Sequence, residues 1–241
     1  METPDPFPGG TAAARGFPAM APERIRLTLK YDYFVFDFDG TLIRGDSIVA
    51  FVRFARKKGA MSPREYLLAC AAAVRYGLGL LSAAESKNAA LAFRMRLSEK
   101  DRRALDEAFV RQELLGRVYP AGKACILSHR QAGRLPVLVT ASTENYMPLA
   151  AQALGFEAVL CTPLLPDGTV GENCRGEEKP RRVLSWLKQQ GVQADFAASW
   201  AYGDSKSDLP MLRLCGHPVQ VNPKRKLKKA APDMETAIWR A

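Results

Sequence analysis

The chain has 241 residues, 47% of them hydrophobic and 25% charged, and its formal net charge is +10. That composition is ordinary for a globular protein with a sizeable core. Five scattered cysteines without a CxxC pair argue against zinc and redox motifs and favour reduced thiols in the cytoplasm. The basic excess favours an anionic partner, but no nucleic acid is expected, because no nucleic-acid motif with interleaved aromatic residues is present. The oligomeric state is left open.

The first part of the chain leads to a pair of carboxylates. Residues 1–23 are rich in Pro, Gly and Ala, lack the basic start and apolar core of a signal peptide, and predict a disordered leader. Residues 24–46 begin an α/β core, because Phe34-Val35-Phe36 predicts a buried strand. Asp37 and Asp39 follow it, and their spacing of two points both towards one site at the carboxyl edge of a sheet. The alternative is a solvated Asp-Gly turn.

Residues 47–119 predict an all-helical insertion, which we call the cap. Its second and third helices begin with capping signatures, Ser62 with Glu65 and Ser82 with Glu85, and its last helix begins at Ser98. The apolar stretch from Tyr66 to Val74 is too short and interrupted to predict a membrane span. It predicts a buried helix of the cap or, alternatively, a helix on a membrane surface.

Residues 120–241 return to the core pattern. Short apolar strands at 135–139, 158–161, 199–202 and 219–221 alternate with helices, and Asp167-Gly168 predicts a hairpin. This alternation predicts a Rossmann-like parallel sheet with right-handed crossovers. The predicted fold class is therefore an α/β core with an inserted all-helical cap.

Three further features suit a phosphate and metal site. Thr140, placed at the end of an apolar strand, can donate to an anionic oxygen, although most such threonines cap a helix. Lys179 precedes a predicted helix, where most lysines are solvated; it gains interest because such a site needs a fixed positive charge. Asp204 and Asp208, four residues apart at a strand end, are hard oxygen ligands that suit Mg²⁺.

Taken in order, Asp37-Phe38-Asp39, Thr140-Ala141-Ser142, Glu178-Lys179 and Gly203-Asp204 to Asp208 resemble the four motifs of the haloacid dehalogenase-like superfamily. The resemblance extends from Tyr33 to Ala231. The helical insertion is similar to the small cap of the phosphoserine-phosphatase-like subfamily. The resemblance implies a phosphoric monoester hydrolase that uses Mg²⁺ and an aspartyl-phosphate intermediate.

The resemblance also implies roles by position. Asp37 would be the nucleophile, and Asp39 would be the general acid and base. Asp37, the Asp39 carbonyl and Asp204 would hold Mg²⁺, supported by Asp208. Thr140 and Lys179 would bind the phosphoryl oxygens, with Ser142 as a second contact; Thr140 fits the motif better because it directly ends the apolar strand.

The substrate is expected to be a small phosphorylated compound other than phosphoserine. Thr140 is followed by Ala141-Ser142-Thr143 instead of the two glycines and Phe of phosphoserine phosphatases, and Asp46 replaces their cap-proximal Glu. Arg94 and Arg96 are candidates for contact with an anionic headgroup, or else lie on a solvated helix face.

Other functions remain open at this stage. The basic run at 224–229 and the apolar cap stretch keep open a lipid-phosphate phosphatase, of the phosphatidylglycerophosphatase kind, at the inner face of an anionic membrane. A phosphotransferase would use the same intermediate. A catalytically silent anion-binding module is the remaining alternative.

Overall fold

The computed structural model describes residues 30–240, so the predicted leader (1–23) and the start of the core (24–29) lie outside the described residues. The described strands, in chain order, are β1 (Lys30–Tyr31), β2 (Tyr33–Phe36), β3 (Leu135–Thr143), β4 (Ala158–Thr162), β5 (Gln193–Ala194), β6 (Trp200–Gly203), β7 (His217–Val221) and β8 (Glu235–Ala237). The helices are α1 (Ser47–Lys57), α2 (Pro63–Gly77), α3 (Ala83–Leu91), α4 (Glu99–Phe109), α5 (Pro120–Gln131), α6 (Met147–Leu154), α7 (Glu178–Gln190), α8 (Leu209–Leu212) and α9 (Arg225–Ala230).

Six strands form one parallel sheet in the order β4–β3–β2–β6–β7–β8, and β1 pairs with β5 in a separate parallel pair. The chain leaves β2 towards β3 and β4, then crosses back to β6 on the other side. The strand order therefore reverses between β2 and β6, and ligands of open α/β sheets bind at the carboxyl ends of strands at such a point. The predicted parallel α/β fold is confirmed.

Strand β2 is buried on both faces, as the parallel arrangement requires. Phe34 and Phe36 pack into one hydrophobic core, which continues into the cap. Tyr33 and Val35 point the other way, into a second core beneath α7. The alternation along a single strand therefore joins two layers and fixes where its carboxyl end emerges.

Strand β3 is longer than predicted. It runs to Thr143 instead of ending at Val139, and its pairing with β4 shifts register between Val139 and Thr143. Thr140 consequently lies inside the strand, and the argument that it directly ends the strand is wrong. The short strands β1, β5 and β8 were also outside the prediction.

The cap helices begin as predicted. Ser62 with Glu65 and Ser82 with Glu85 form complete capping boxes at α2 and α3. The two later helical segments reach about as far as predicted but change type, because α3 gives way to a 3₁₀ turn at Ala92–Arg96 and α4 continues into a π-helical turn at Val110–Leu114.

Helix α2 does not form the buried helix that was predicted. Ala69 and Ala72 are buried, whereas Leu67, Leu68 and Val74 are exposed. Small alanines allow close packing on one face, and the larger side chains point outward. In residues 30–240, no helix is both long and apolar enough to cross a membrane.

Cap and core are in contact at their junction and through a group of aromatic rings. Their connecting segments lie side by side, because Ile43 forms an antiparallel bridge with Val118, and Tyr119 N donates to Leu42 O at 2.9 Å. Farther into the interface, the rings of Phe51 and Phe109 from the cap pack on Tyr146 of the core, with centroids 5.4 and 5.2 Å from it. This aromatic contact stands beside the carboxyl edge of the sheet.

Candidate active site

Asp37 follows β2 and is buried at the carboxyl edge of the sheet. Its backbone N–H donates to Tyr202 O of β6 at 2.9 Å, which places the residue between the two central strands. Lys179 Nζ donates to Asp37 Oδ1 at 2.6 Å, and Thr41 Oγ1 donates to Oδ2 at 3.3 Å. Asp37 therefore has one oxygen on a fixed cation and the other on a neutral donor.

Lys179 lies in the first turn of α7 and is 1% exposed. Its ammonium donates to Asp37 Oδ1 and to Asp208 Oδ1, each at 2.6 Å. Burial acts to lower the pKa of Lys179, but the charges of Asp37 and Asp208 outweigh it, so the pKa is raised. The lysine is thus a permanent positive charge. It lies among the carboxylates, where the sequence predicted a fixed cation.

Asp204 and Asp208 follow β6. Asp208 Oδ2 accepts from the backbone N and Oγ of Ser205, at 2.9 and 2.7 Å. Asp204 Oδ2 accepts from Lys224 Nζ at 2.7 Å. One oxygen from each of Asp37, Asp204 and Asp208 lies within 4.8 Å of the others, all three residues being buried.

This cluster carries more negative than positive buried charge. Burial is the main cause that raises the pKa of Asp37, to about 8, and the charge of Asp208 adds to it. The three carboxylates share one buried ammonium, since Lys224 is largely exposed. Carboxylate oxygens are the ligands that Mg²⁺ prefers, so a divalent cation fits the donor set and would offset the excess charge.

Gly40 shapes the same site through the space it leaves. Its backbone has φ +83°, and a Cβ there would lie 2.2 Å from Asp204 Oδ2. Only glycine tolerates both conditions. The Gly40 backbone therefore lies directly against the Asp204 carboxylate.

Asp39 is turned towards the cap. Its Oδ1 accepts from Ser47 N at 2.7 Å, and its Oδ2 accepts from Ser47 Oγ at 3.1 Å and from Ser142 Oγ at a shorter distance. Burial and the nearby charge of Asp46 raise the pKa of Asp39 to about 6, although the two serines act against them. Asp39 and Asp37 thus have separate hydrogen-bond partners within one site.

Thr140 and Ser142 occupy neighbouring positions on β3. Thr140 is buried, and its Oγ1 accepts from Ser142 N at 3.0 Å, which leaves its own hydroxyl hydrogen available to another acceptor. Ser142 Oγ bonds both Asp39 and Ser47 Oγ, the latter at 2.8 Å. The two hydroxyl groups differ in that Ser142 is tied directly to Asp39.

Besides Ser47, Lys87 of the cap reaches this edge of the sheet. Lys87, on α3, donates from Nζ to Ala141 O at 2.5 Å and to Asn173 Oδ1 at 2.7 Å. Burial lowers the pKa of Lys87 to about 8, against the charges of Asp39 and Asp46. The cap therefore contributes a cation next to Thr140 and Ser142.

The three predicted specificity residues have partners within the protein. Asp46 caps α1, accepting from Ile48 N and Val49 N at 3.0 and 3.1 Å. Arg94 is buried and forms two hydrogen bonds to Asp106, at 2.6 and 2.9 Å. Arg96 is exposed, and its guanidinium donates to Glu65 and to Ala60 O.

These contacts change the interpretation of both arginines. The guanidinium of Arg94 is not on a solvated face, and its charge is already matched inside the cap. Arg96 holds the first turn of α2. Neither arrangement favours contact with a substrate headgroup, because the donors are used within the cap.

Four residues of this region were not singled out from the sequence: Ser47, Lys87, Tyr146 and Lys224. Ser47 directly follows the helix cap Asp46, and Tyr146 Oη lies 2.9 Å from Ser47 Oγ. Lys224 opens the basic run that was interpreted as solvated, yet it pairs with Asp204. The position of Ser47 at a helix start was the one local signal; the other three depend on tertiary contacts.

Comparisons with known proteins give relatives that are named as phosphatases. A Neisseria meningitidis protein named histidinol-phosphatase is 28% identical over 208 residues, covering 83% of this chain and 94% of its own length. A Mycobacterium tuberculosis protein named phosphoserine phosphatase SerB1 is 28% identical over 206 residues, covering 81% of this chain and 66% of its own length. The chain thus spans nearly all of the first relative and about two thirds of the second.

A solved structure and a family model extend the comparison. A protein of unknown function from Bordetella pertussis Tohama I superposes with a TM-score of 0.77 at 26% identity, covering 86% of this chain and 98% of its own. The model of the haloacid dehalogenase-like hydrolases matches residues 34–213, which include Asp37, Thr140, Lys179 and Asp204. The chain belongs to the haloacid dehalogenase-like hydrolase family.

Proposed function

We propose that this protein is a Mg²⁺-dependent phosphatase that hydrolyses a small phosphomonoester through an aspartyl-phosphate on Asp37. The observation that carries the proposal is the buried Asp37 carboxylate, held 2.6 Å from Lys179 Nζ and clustered with Asp204 and Asp208. Membership of a hydrolase family and relatives named as phosphatases support it.

The carboxylates have different roles, some in metal binding and some in the chemical steps. Asp37, Asp204 and the carbonyl of Asp39 would hold Mg²⁺, with Asp208 supporting the site. When bound, the ion supplies positive charge that offsets the phosphoryl oxygens, which is the main requirement of phosphoryl transfer. Lys179 adds a second fixed positive charge beside the nucleophile.

Two displacements at phosphorus complete the reaction. A carboxylate oxygen of Asp37 bonds to phosphorus while the bond to the ester oxygen breaks, and Asp39 gives that oxygen its proton. Asp39 then takes a proton from water, whose oxygen attacks phosphorus and breaks the bond to Asp37, releasing inorganic phosphate. A pKa near 6 allows one carboxyl group to serve as acid and base near neutral pH.

The hydroxyl groups position the reactants. Thr140 has its hydroxyl hydrogen free for a phosphoryl oxygen, since Ser142 N already donates to its Oγ1. Ser142 and Ser47 hold Asp39 and restrain the rise of its pKa. Phosphoserine and histidinol phosphate, which the names of the relatives suggest, are suitable reference compounds for a small phosphorylated alcohol.

Phosphate release from a panel of phosphomonoesters, with Mg²⁺ or with a chelator, tests the proposal. Asp37→Asn should lower turnover by roughly a thousandfold or more while the fold persists. The matched control is Asp167→Asn, because Asp167 is exposed and bonds only its own hairpin through Thr169. Acid quenching during turnover should trap one phosphoryl group on the peptide that contains Asp37. Full activity of Asp37→Asn would refute the mechanism.

A second candidate is the same chemistry on a lipid phosphate at a membrane surface. Helix α2 and the turn after it expose Leu67, Leu68, Leu78 and Leu80, each at least 59% exposed. Basic residues on the same helix would favour anionic lipids. All five cysteines are free, in keeping with a cytoplasmic location in either case. Co-sedimentation with anionic vesicles that weakens with salt supports this candidate, and no binding at low salt removes it.

A further inference from the structure

A cavity of about 300 Å³, open to solvent on one side, lies on the cap between α1, α2 and α3. That volume falls at the lower end of the range for small-molecule sites and has room for roughly ten water-sized groups at about 30 Å³ each. Its wall is mainly aliphatic, including Ile48, Val52, Ala69, Ala73 and Ala90. Such a wall suits a hydrocarbon group.

One side chain links the cavity to the edge of the phosphatase site. Lys87 lines it, and the same side chain donates to Ala141 O, between Thr140 and Ser142. On the opposite wall, Ile48 directly follows Ser47, whose N and Oγ bond Asp39. Lys87 and the start of α1 therefore connect the cavity to the edge of the sheet that carries Asp39.

The charges around the cavity select among leaving groups. Its polar lining side chains include Arg53, Ser86 and Lys87, and none of the described residues that line it is a carboxylate. An ammonium group packed against this wall would lose hydration beside the cations Arg53 and Lys87. A hydrocarbon chain would instead gain from leaving water.

We propose, building on the phosphatase function above, that this cavity binds the leaving group and that the preferred substrates are phosphomonoesters of hydrocarbon alcohols with up to about ten heavy atoms in the chain. Such a chain is found in free alkyl phosphates and in lipid phosphates. The amine-bearing esters phosphoserine and histidinol phosphate would be poorer substrates.

The first test is the series ethyl, butyl, hexyl and octyl phosphate below their micelle concentrations, with Mg²⁺. We expect kcat/KM to rise roughly threefold per methylene until the cavity is filled. A flat series, with ethyl phosphate hydrolysed normally, would overturn the cavity proposal and leave the phosphatase function standing. Failure to hydrolyse any ester would instead overturn the phosphatase function.

A matched pair tests the charge argument. Hexyl phosphate and 6-aminohexyl phosphate have the same chain, but the second carries a terminal ammonium. We expect kcat/KM to be at least about tenfold lower for the amine, because none of the described residues that line the cavity carries a carboxylate. Equal values would contradict the proposed pocket.

Two variants on α2 test the location. Ala73 and Ala71 are both exposed on the same helix, but only Ala73 lines the cavity. Ala73→Phe should reduce the ratio of kcat/KM for octyl over ethyl phosphate, and Ala71→Phe should leave that ratio at the wild-type value. A reduced ratio in both variants, or in neither, would overturn the assignment.

Cys70 supplies a readout that does not depend on turnover, because it lines the cavity and is partly exposed. In Asp37→Asn, octyl phosphate should slow alkylation of Cys70, and ethyl phosphate should not. Cys125, also partly exposed and outside the cavity, is the internal reference. Unchanged alkylation of Cys70 with saturating octyl phosphate would contradict binding in the cavity. Preference for free octyl phosphate or for a lipid phosphate in vesicles then identifies the source of the chain.

Discussion

Lys179 Nζ lies 2.6 Å from Asp37 Oδ1, although the residues stand 142 positions apart and both are buried. Lys179→Met would leave two buried carboxylates without their common cation. We expect the free energy of unfolding to fall by about 3–5 kcal/mol and activity to be lost. Urea unfolding measures the first effect. Lys188→Met, at an exposed position of the same helix, is the control and should change stability little.

Stability without a divalent ion should depend on pH through Asp37. Its folded pKa, about 8, lies above the unfolded value of 3.8, so the folded state binds the extra proton between these values. The free energy of unfolding therefore falls as pH rises through this window. The slope is about 1.4 kcal/mol per pH unit, and the total loss is a few kcal/mol. Lys179 has a raised pKa and Asp208 a lowered one, so both keep their charge throughout.

Asp37→Asn removes this contribution. In a chelator, the variant should be more stable than the wild type near about pH 8 and should lose most of the decline between about pH 5 and about pH 8. Unfolding midpoints in urea at several pH values give the comparison. An identical pH dependence in the two proteins would show that Asp37 does not carry the shift.

Gly40 and Gly59 form a matched pair for the space around Asp204. Both have positive φ, +83° and +73°, but only Gly40 has an atom of another residue in the way of a Cβ, since nothing lies within 4 Å at Gly59. Either substitution by Ala should lower the free energy of unfolding by about 1–2 kcal/mol, because alanine is strained at positive φ. Gly40→Ala should in addition weaken Mg²⁺ binding by about tenfold or more. Calorimetric titration with Mg²⁺ separates the effects; equal affinities would exclude the contact as a cause.

Arg94 and Arg96 distinguish structural from substrate contacts. Arg94→Ala would leave Asp106 as a buried charge without its partner, so we expect a loss of about 3–5 kcal/mol. Arg96→Ala breaks an exposed pair with Glu65 and should change stability little. Thermal unfolding gives both values, and KM for the preferred ester serves as the second readout. A large rise in KM without destabilisation in either variant would restore the headgroup role.

Local rules accounted for much of the fold. The capping boxes at Ser62 and Ser82 were predictable because both partners lie within one helical turn. The end of α4 was not, because the π-helical turn at Val110–Leu114 depends on how the cap packs against the core. Helix α2 was interpreted as buried from its apolar run, but the run gave no indication that Leu67, Leu68 and Val74 point outward.

The site, like the fold, was predictable from the sequence only in part. Carboxylates at strand ends and a lysine at a helix start were identified from the sequence, because parallel strands bring their carboxyl ends to one edge. Their catalytic roles stay predictions. Lys87 and Tyr146 were not predictable, because each contacts a residue far away in the chain across the interface between cap and core. Lys87 bonds Ala141, 54 residues away, and Tyr146 bonds Ser47, 99 residues away.

The bridge between Ile43 and Val118 has a consequence for how this fold can vary. Because the chain leaves and re-enters the core at neighbouring points, the intervening helices close a loop whose ends are already held together. Changing the length of such a loop costs little entropy. The core could therefore accept a helical module of another size or shape at this junction. Substrate recognition would change with the module, and the chemistry of the core would stay the same.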